Sequence, residues 1–427
     1  MVALIFVFIG ALLIGIPIAF VIGCSALYYF LFVGNIPMDM IGQKLYSGCD
    51  NFVLLAIPFF ILAGDLMNRS KITDSLVNFA KLLVGRIPGA LAQVNVVCSI
   101  FFAGITGAGV ADVAALGSVL IPSMRKEGYA TDYAAAITVA SSVIGPIIPP
   151  SIIMVVYSMT TGESVGALFA AGFVPGLSVG LTLMIMSYYF AIRYKHPRRT
   201  ESIPFAEAVV TVRKSLTALM CPVILVGGIF SGDFTPTEAA AVACFYAMIA
   251  GVFLLKTLSF RDIVECIARS AVSSSVILLI IAMAGLFSQV MALEHLPRTA
   301  AQLILQITQN KYTYLLLVNL LLLFMGMIME TAASVILLAP ILLPIAIQLG
   351  IHPLHFALVM LVNLNIGLIT PPVGVCLFAA APIAGISIEK ISKAIMPFIC
   401  AELFALLMIT YIPELVLIVP RMLGFIR

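Results

Sequence analysis

Ile144-Gly-Pro-Ile-Ile-Pro-Pro150 and Ile366-Gly-Leu-Ile-Thr-Pro-Pro372 are the two stretches whose reading decides the fold. Each places a glycine and a proline pair in the middle of a long apolar run. Proline removes a backbone donor and leaves the carbonyl one turn earlier without its helical partner. Upstream of each lies a second matched block: Asp112-Val-Ala-Ala115 with Pro122, and Glu330-Thr-Ala-Ala333 with Pro340, at identical internal spacing. From Pro122 to Pro149 is 27 positions, and from Pro340 to Pro371 is 31. Two matches in the same order at similar spacing indicate an internal repeat, one copy in each half of the chain.

The solvent these segments meet is set by composition. Of the 427 residues, 63% are hydrophobic and 10% charged, and the mean hydropathy is +1.20. A soluble domain carries about 25% charged residues. A water-soluble core cannot hide this much apolar surface, so the chain is read as an integral protein of the lipid bilayer. A net charge of +3 over this length gives no nucleic-acid footprint. The eight cysteines form no CxxC and the four histidines lack metal spacing, so no transition-metal site is expected. Residues 1–33 lack a charged start and run on too long for a cleavable signal peptide.

Apolar runs near 1–33, 51–67, 130–160, 166–192, 214–230, 236–256, 270–292, 355–383 and 394–419 read as membrane crossings. Two further runs, about 94–124 and 313–346, are interrupted midway by polar or acidic residues and read as re-entrant helical hairpins. A break at Gly15-Ile-Pro17 turns 1–33 into two short crossings, the counterpart of 214–256. The fold class expected is therefore an all-α polytopic membrane protein. It is a repeat of about 5+5 transmembrane helices plus two hairpins, over 1–192 and 214–427, joined by a linker at 193–213. An odd number of crossings per half inverts one repeat relative to the other. The linker carries Arg193, Lys195, Arg198, Arg199 and Arg213, which by charge bias puts it in the cytoplasm and both termini outside.

Broken backbone at membrane depth is tolerated only where it is buried in protein or lines a wet cavity. Four stretches break: Phe102–Asp112, Ser141–Ser151, Met325–Thr331 and Asn363–Gly374. Freed carbonyls with Ser, Thr and Asn oxygens suit a small hard cation. Half-helix amino ends offer N–H groups and positive dipole ends to an anion. Asp112 and Glu330 read either as caps of the returning hairpin helices or as groups contacting ions. Segments 68–88 and 293–312 mix charged and apolar residues at helical spacing, as amphipathic helices along the interface, either arms joining a moving core to a scaffold or simple connectors. No phosphate-binding Gly-x-x-x-x-Gly-Lys-Ser/Thr and no catalytic constellation is present. The chain is read as a secondary transporter driven by an ion gradient, not an enzyme.

Ala56-Ile-Pro-Phe-Phe-Ile-Leu-Ala-Gly64, the Gly104–Pro122 block, Ala140–Ser151, Phe234-Thr-Pro-Thr-Glu-Ala-Ala-Ala241 and Asn365–Gly374, in this order, resemble the large membrane subunit of tripartite ATP-independent periplasmic (TRAP) transporters. The resemblance covers nearly the whole chain. It departs at Thr106-Gly-Ala108, where many relatives have Ser in the place of Ala108. It implies an ion-transporter-superfamily elevator in the bacterial inner membrane, performing Na⁺-coupled uptake of an acidic organic solute such as a C4-dicarboxylate, a sialic acid or another sugar acid. It implies a small membrane subunit of about four helices, here expected on a separate chain, and a periplasmic substrate-binding protein that delivers the solute. It places one Na⁺ at Gly104 and Gly107 with Ser141, Ser142 and Gly145. A second falls at Gly326 with Asn365, Gly367, Thr370 and Val373. The solute falls between the tips, near Thr106, Asp112, Ser142, Thr331 and Asn365. A self-sufficient ion-coupled carrier or exchanger of similar architecture is the alternative.

Overall fold

The computed structural model describes residues 2–34, 37, 39–70, 72–197 and 205–426. Arg198 and Arg199 of the basic cluster fall outside them, as does the side chain of Thr106. The first half runs α1 (Val2–Leu13), α2 (Ile18–Phe32), α3 (Asp39–Cys49), α4 (Ala56–Arg69), α5 (Ile72–Val84), α6 (Ala90–Thr106), α7 (Gly109–Lys126), α8 (Thr131–Ser141), α9 (Ile152–Thr161) and α10 (Val165–Arg193). The second runs α11 (Phe205–Phe230), α12 (Pro236–Ile249), α13 (Phe260–Leu293), α14 (Leu296–Ile307), α15 (Lys311–Ile328), α16 (Thr331–Gln348), α17 (Pro353–Gly367), α18 (Val375–Ala384), α19 (Ile388–Tyr411) and α20 (Glu414–Met422). Among the described residues, eight helical stretches are long and apolar enough to cross a membrane.

Local chemistry sets these ends. Gly15, at φ +83°, and Pro17 separate α1 from α2. Thr235 and Ser259 each form a reciprocal capping box, with Glu238 and Asp262, at the starts of α12 and α13. Phe20, Ile185, Phe245, Val272 and Phe404 lie exposed on outer faces. In water such faces would drive aggregation; in lipid they are ordinary.

Three boundaries differ from the sequence reading. Helix α11 begins at Phe205, inside the segment read as linker, because Phe205-Ala-Glu-Ala-Val continues the apolar helix with good helix formers. Residues 394–419 are not one crossing: Ile412-Pro413 ends α19 before the short α20. Residues 39–49, left outside the crossings in the sequence reading, form α3, which lies along α13 with no residue fully buried. The start of the linker is pinned, with the His196 ring 4.5 Å from Tyr129 and 4.7 Å from Tyr133. Burial there pushes the His196 imidazole below its usual range.

The repeats build two bodies by exchange. In the scaffold, α2 of the first half packs on α13 of the second, and α4 packs on α12. In the core, each hairpin packs on its own broken helix, α6 and α7 on α8, α15 and α16 on α17. Each returning hairpin arm also packs on the far half of the other repeat's broken helix, α7 on α18 and α16 on α9. The long helices α10 and α19 pack on each other and complete this core. Helix α5 touches α6 of the core and α11 of the scaffold; α14 touches α16 and α13. Both amphipathic helices thus bridge the two bodies.

Buried amides tie each hairpin to its broken helix. In the first half Asn95 Nδ2 donates to Thr138 Oγ1 at 2.6 Å, and Ser99 Oγ donates to Ser141 Oγ at 2.9 Å. In the second, Asn363 Nδ2 donates to Asn319 Oδ1 at 2.8 Å, and Asn319 Nδ2 donates to Thr410 Oγ1 at 3.0 Å. Losing one partner leaves the other polar and buried, at a cost of about 1–3 kcal/mol. Asn319→Leu is expected to lower the thermal midpoint of the purified chain by several degrees, and Asn319→Leu with Asn363→Leu to recover part of the loss. A midpoint unchanged in the single variant would show that the pair contributes nothing.

Candidate functional site

Both breaks are built alike. After α8 the chain makes a 3-10 turn, Ser142–Ile144, then runs through Pro146–Pro150 to Ser151. The Ser151 hydroxyl donates to Pro146 O at 2.6 Å and caps α9 by accepting from Met154 N at 3.3 Å. After α17 the chain turns through Leu368–Gly374, and Gly374, at φ +55°, opens α18. The Pro149–Pro150 and Pro371–Pro372 bonds are both cis.

The first hairpin turns at Gly107, in the left-handed region at φ +59°. A side chain on Gly107 would meet Pro150 O at 3.0 Å and Ile152 N at 3.2 Å, so the tip lies directly on the break. The amino end of α7 lies on the other face of that break. A side chain on Gly109 would meet Ser142 O at 3.2 Å and Cys376 Sγ at 3.7 Å. Cys376 is the second residue of α18, so the amino ends of α7 and α18 converge beside Ser142. Asp112, buried one turn into α7, sets its carboxylate where a Gly145 side chain would be.

The second hairpin makes the tighter contact. A side chain on Gly326 would meet Leu364 O at 2.8 Å and Gly367 Cα at 3.0 Å; one on Gly367 would meet Gly326 C at 2.6 Å. The two backbones touch, and only glycine permits it. Thr331 Oγ1 donates to Asn365 Oδ1 at 3.5 Å, while Asn365 Nδ2 is held by Leu361 O at 2.7 Å. Thr370 Oγ1 donates to Ile366 O at 2.7 Å. Val373 is 38% exposed, in the turn before α18.

These positions sort the residues named from the sequence. Gly107, Ser142, Gly145 and Asp112 come together around the first break, and Gly326, Gly367, Asn365, Thr331 and Thr370 around the second. Ser141 and Gly104 make further contacts of their own. The Ser141 hydroxyl belongs to the Asn95–Ser99 latch, donating to Asn95 Oδ1 at 3.1 Å. Gly104 lies between α11 and the first break, where its side chain would meet Pro222 Cβ at 2.7 Å and Pro149 O at 3.7 Å. The two acids differ as well. Glu330 occupies the N-cap position of α16 without a side-chain cap bond, and Ala108, not Asp112, occupies that position on α7. Sequence reasoning passed over Asn95, Asn319 and Cys376; an amide inside an apolar helix is the signal that marks the first two.

Chemically the arrangement offers both signs. The last carbonyls of α6, α8, α15 and α17 lack intrahelical partners, and the first N–H groups of α7, α9, α16 and α18 do too. Carbonyl ends suit a cation and amino ends an anion.

Over residues 5–415 the chain matches the family described as tripartite ATP-independent periplasmic transporter, DctM component. The chain belongs to this family. It is 38% identical over 425 residues to the sialic acid TRAP transporter large permease protein SiaM of Vibrio cholerae, covering 99% of both chains. It is 36% identical to the C4-dicarboxylate large permease DctM of Rhodobacter capsulatus, covering 97% of this chain and 98% of that one. It is 41% identical to the isethionate permease protein DctMQ of Oleidesulfovibrio alaskensis, covering 95% of this chain and spanning 64% of that longer relative. Among solved structures the YdaH transporter of Alcanivorax borkumensis superposes with a TM-score of 0.63 at 14% identity, over 94% of this chain and 96% of that one; this likeness is one of fold. The chain is thus a multi-pass membrane protein, of a family whose relatives are transporter permeases.

Inside the DctM-family core, Gly145→Ala would drive a methyl into the Asp112 carboxylate. Overpacking of this kind costs about 1–3 kcal/mol. Gly145→Ala is expected to abolish solute uptake in proteoliposomes, whereas Gly10→Ala, where a methyl meets open space, leaves uptake at the unsubstituted rate. Full uptake by Gly145→Ala would dissociate the Asp112–Gly145 contact from transport.

Proposed function

We propose that the chain is the large permease of a Na⁺-coupled uptake system for an acidic organic solute, working in the bacterial inner membrane by an elevator movement. The observation that carries the reading is the convergence of helix ends at the two breaks: carbonyl ends that suit Na⁺, beside the amino ends of α7 and α18 that suit a carboxylate or sulfonate. The relatives named above are permeases for sialic acid, C4-dicarboxylates and isethionate, all anions. Coupling follows from charge: a cation seated among carbonyl ends neutralises part of the solute's charge, so each favours the other.

In this reading the hairpins, both broken helices, α10 and α19 move as one body against α2, α4 and α11–α13. Helices α5 and α14, each in contact with both bodies, act as the arms. The solute itself is presented by a periplasmic binding protein, and a small membrane subunit of about four helices supports the scaffold.

Reconstitution separates this from a self-sufficient carrier. In proteoliposomes holding this chain and a small membrane subunit, sialic acid, a C4-dicarboxylate or isethionate is expected to enter only with an inward Na⁺ gradient and the matching binding protein outside. Uptake by this chain alone, without Na⁺ or binding protein, would overturn the reading.

A further inference from the structure

Glu402 lies near the middle of α19, about 20 Å from its start at 1.5 Å per residue. Its exposure is 0%, and neither carboxylate oxygen has a hydrogen-bond partner among the described residues. It shares one buried stripe of α19 with Phe398, Ile399, Ala405 and Leu406. Among the described residues, the elements packed most on α19, namely α8, α10, α17, α18 and α20, leave it without a countercharge. On α8, the Asp132 carboxylate is spent on Tyr133 N at the helix start, and the Tyr133 ring lies against Phe398. On α17, His355 is held by Ile409 O at 3.0 Å, two turns away from Glu402. Helix α10 has no charged residue before Arg193 at its end, and on α20 Glu414 and Arg421 pair with each other at 2.7 Å. From α18 comes the Cys376 thiol, which lies within electrostatic reach of both Glu402 and Asp112.

A lone carboxylate with no donor, buried in a helix bundle at membrane depth, is too costly to stay ionised. With no cation within reach it must hold one itself. A sodium ion requires a cage of oxygens, and the helix neighbours of Glu402 are carbon. A proton requires none. No hydrogen bond joins Glu402 to the residues of either break, so it is a separate group. It is nonetheless close in charge terms to the first break, since Cys376 touches the Gly109–Ser142 end there and senses Glu402 as well.

We propose that Glu402 is a proton-binding site of the transport core, linked to cation occupancy at the Ser142–Gly145 break. This rests on the Na⁺-coupled reading above. A cation at the break repels the proton on Glu402; the carboxyl O–H breaks, the proton leaves to water, and the carboxylate left behind attracts the cation. The linkage is reciprocal: protonating Glu402 weakens cation binding by the factor by which the cation weakens the proton. The Na⁺ concentration giving half-saturation therefore rises as pH falls.

The test is Na⁺ titration of the purified full chain without solute, read by the shift of its thermal midpoint at pH 6, 7 and 8, with choline as the control ion. The unsubstituted chain is expected to half-saturate at a Na⁺ concentration about threefold or more lower at pH 8 than at pH 6, one linked proton allowing up to tenfold per pH unit. Glu402→Gln, which mimics the protonated acid, is expected to bind Na⁺ at all three pH values as the unsubstituted chain does at pH 6. A Glu402→Gln chain that keeps the original pH dependence overturns the proposal. A second measurement needs no variant: adding Na⁺ to the unsubstituted chain in weak buffer at pH 8 releases protons to an indicator dye, and absence of release overturns the proposal too. Absence of any Na⁺ shift at every pH would instead sink the Na⁺-coupled reading on which the proposal stands.

Discussion

Everything in this fold depends on where backbone polar groups go when a helix is interrupted inside lipid. An unpaired N–H or C=O in hydrocarbon costs several kcal/mol, so a break survives only against other protein or water. Here each break is backed by a hairpin tip. Gly107 lies on Pro150–Ile152, and Gly326 lies on Leu364–Gly367. The contacts are backbone on backbone, and they explain why glycine stands on both sides of the second one. The same contacts that make the breaks tolerable bring helix ends together, and helix ends are the groups that can hold ions.

The exchange of partners between repeats follows from the same demand. A hairpin arm that returns from the middle of the membrane cannot bury its whole surface against its own repeat. Helix α7 finds the rest of its partner surface in α18, and α16 finds it in α9. The core is therefore a product of both halves, and the first break is completed by Cys376 from the second repeat. A site shared between inverted repeats can be approached from either side of the bilayer by the same kind of surface, which is what alternating access requires.

The outline of the fold was legible because its signals are backbone signals. Paired prolines, clustered glycines and the acid–Ala–Ala–Pro spacing mark helix breaks and hairpin tips whatever packs around them. The broken stretches were legible as regions for the same reason. Individual side chains were not: Ser141 and Ser142 are adjacent and chemically identical in the sequence, yet the step of about 100° between neighbouring helical residues aims the first at Asn95 and leaves the second beside Gly109. Gly104 and Gly107 look equally suited to a tip, and helix α6 runs past the first and ends at the second. Helix α3 escaped because a polar helix lying on α13 has neither the length nor the hydropathy of a crossing.

Symmetry in the sequence is also more complete than symmetry in the chemistry. Asp112 and Glu330 hold matching places in the two motifs, but Asp112 is buried in the first turn of α7 against Gly145, and Glu330 stands exposed at the N-cap of α16. The two latches use different residues for the same purpose, Thr138 and Ser141 in one half, Asn363 and Thr410 in the other. An inverted repeat fixes where helices end, since that is set by backbone and by packing between halves. It leaves the charges free to differ, and two unlike sites in one core can bind two unlike cargoes whose charges balance.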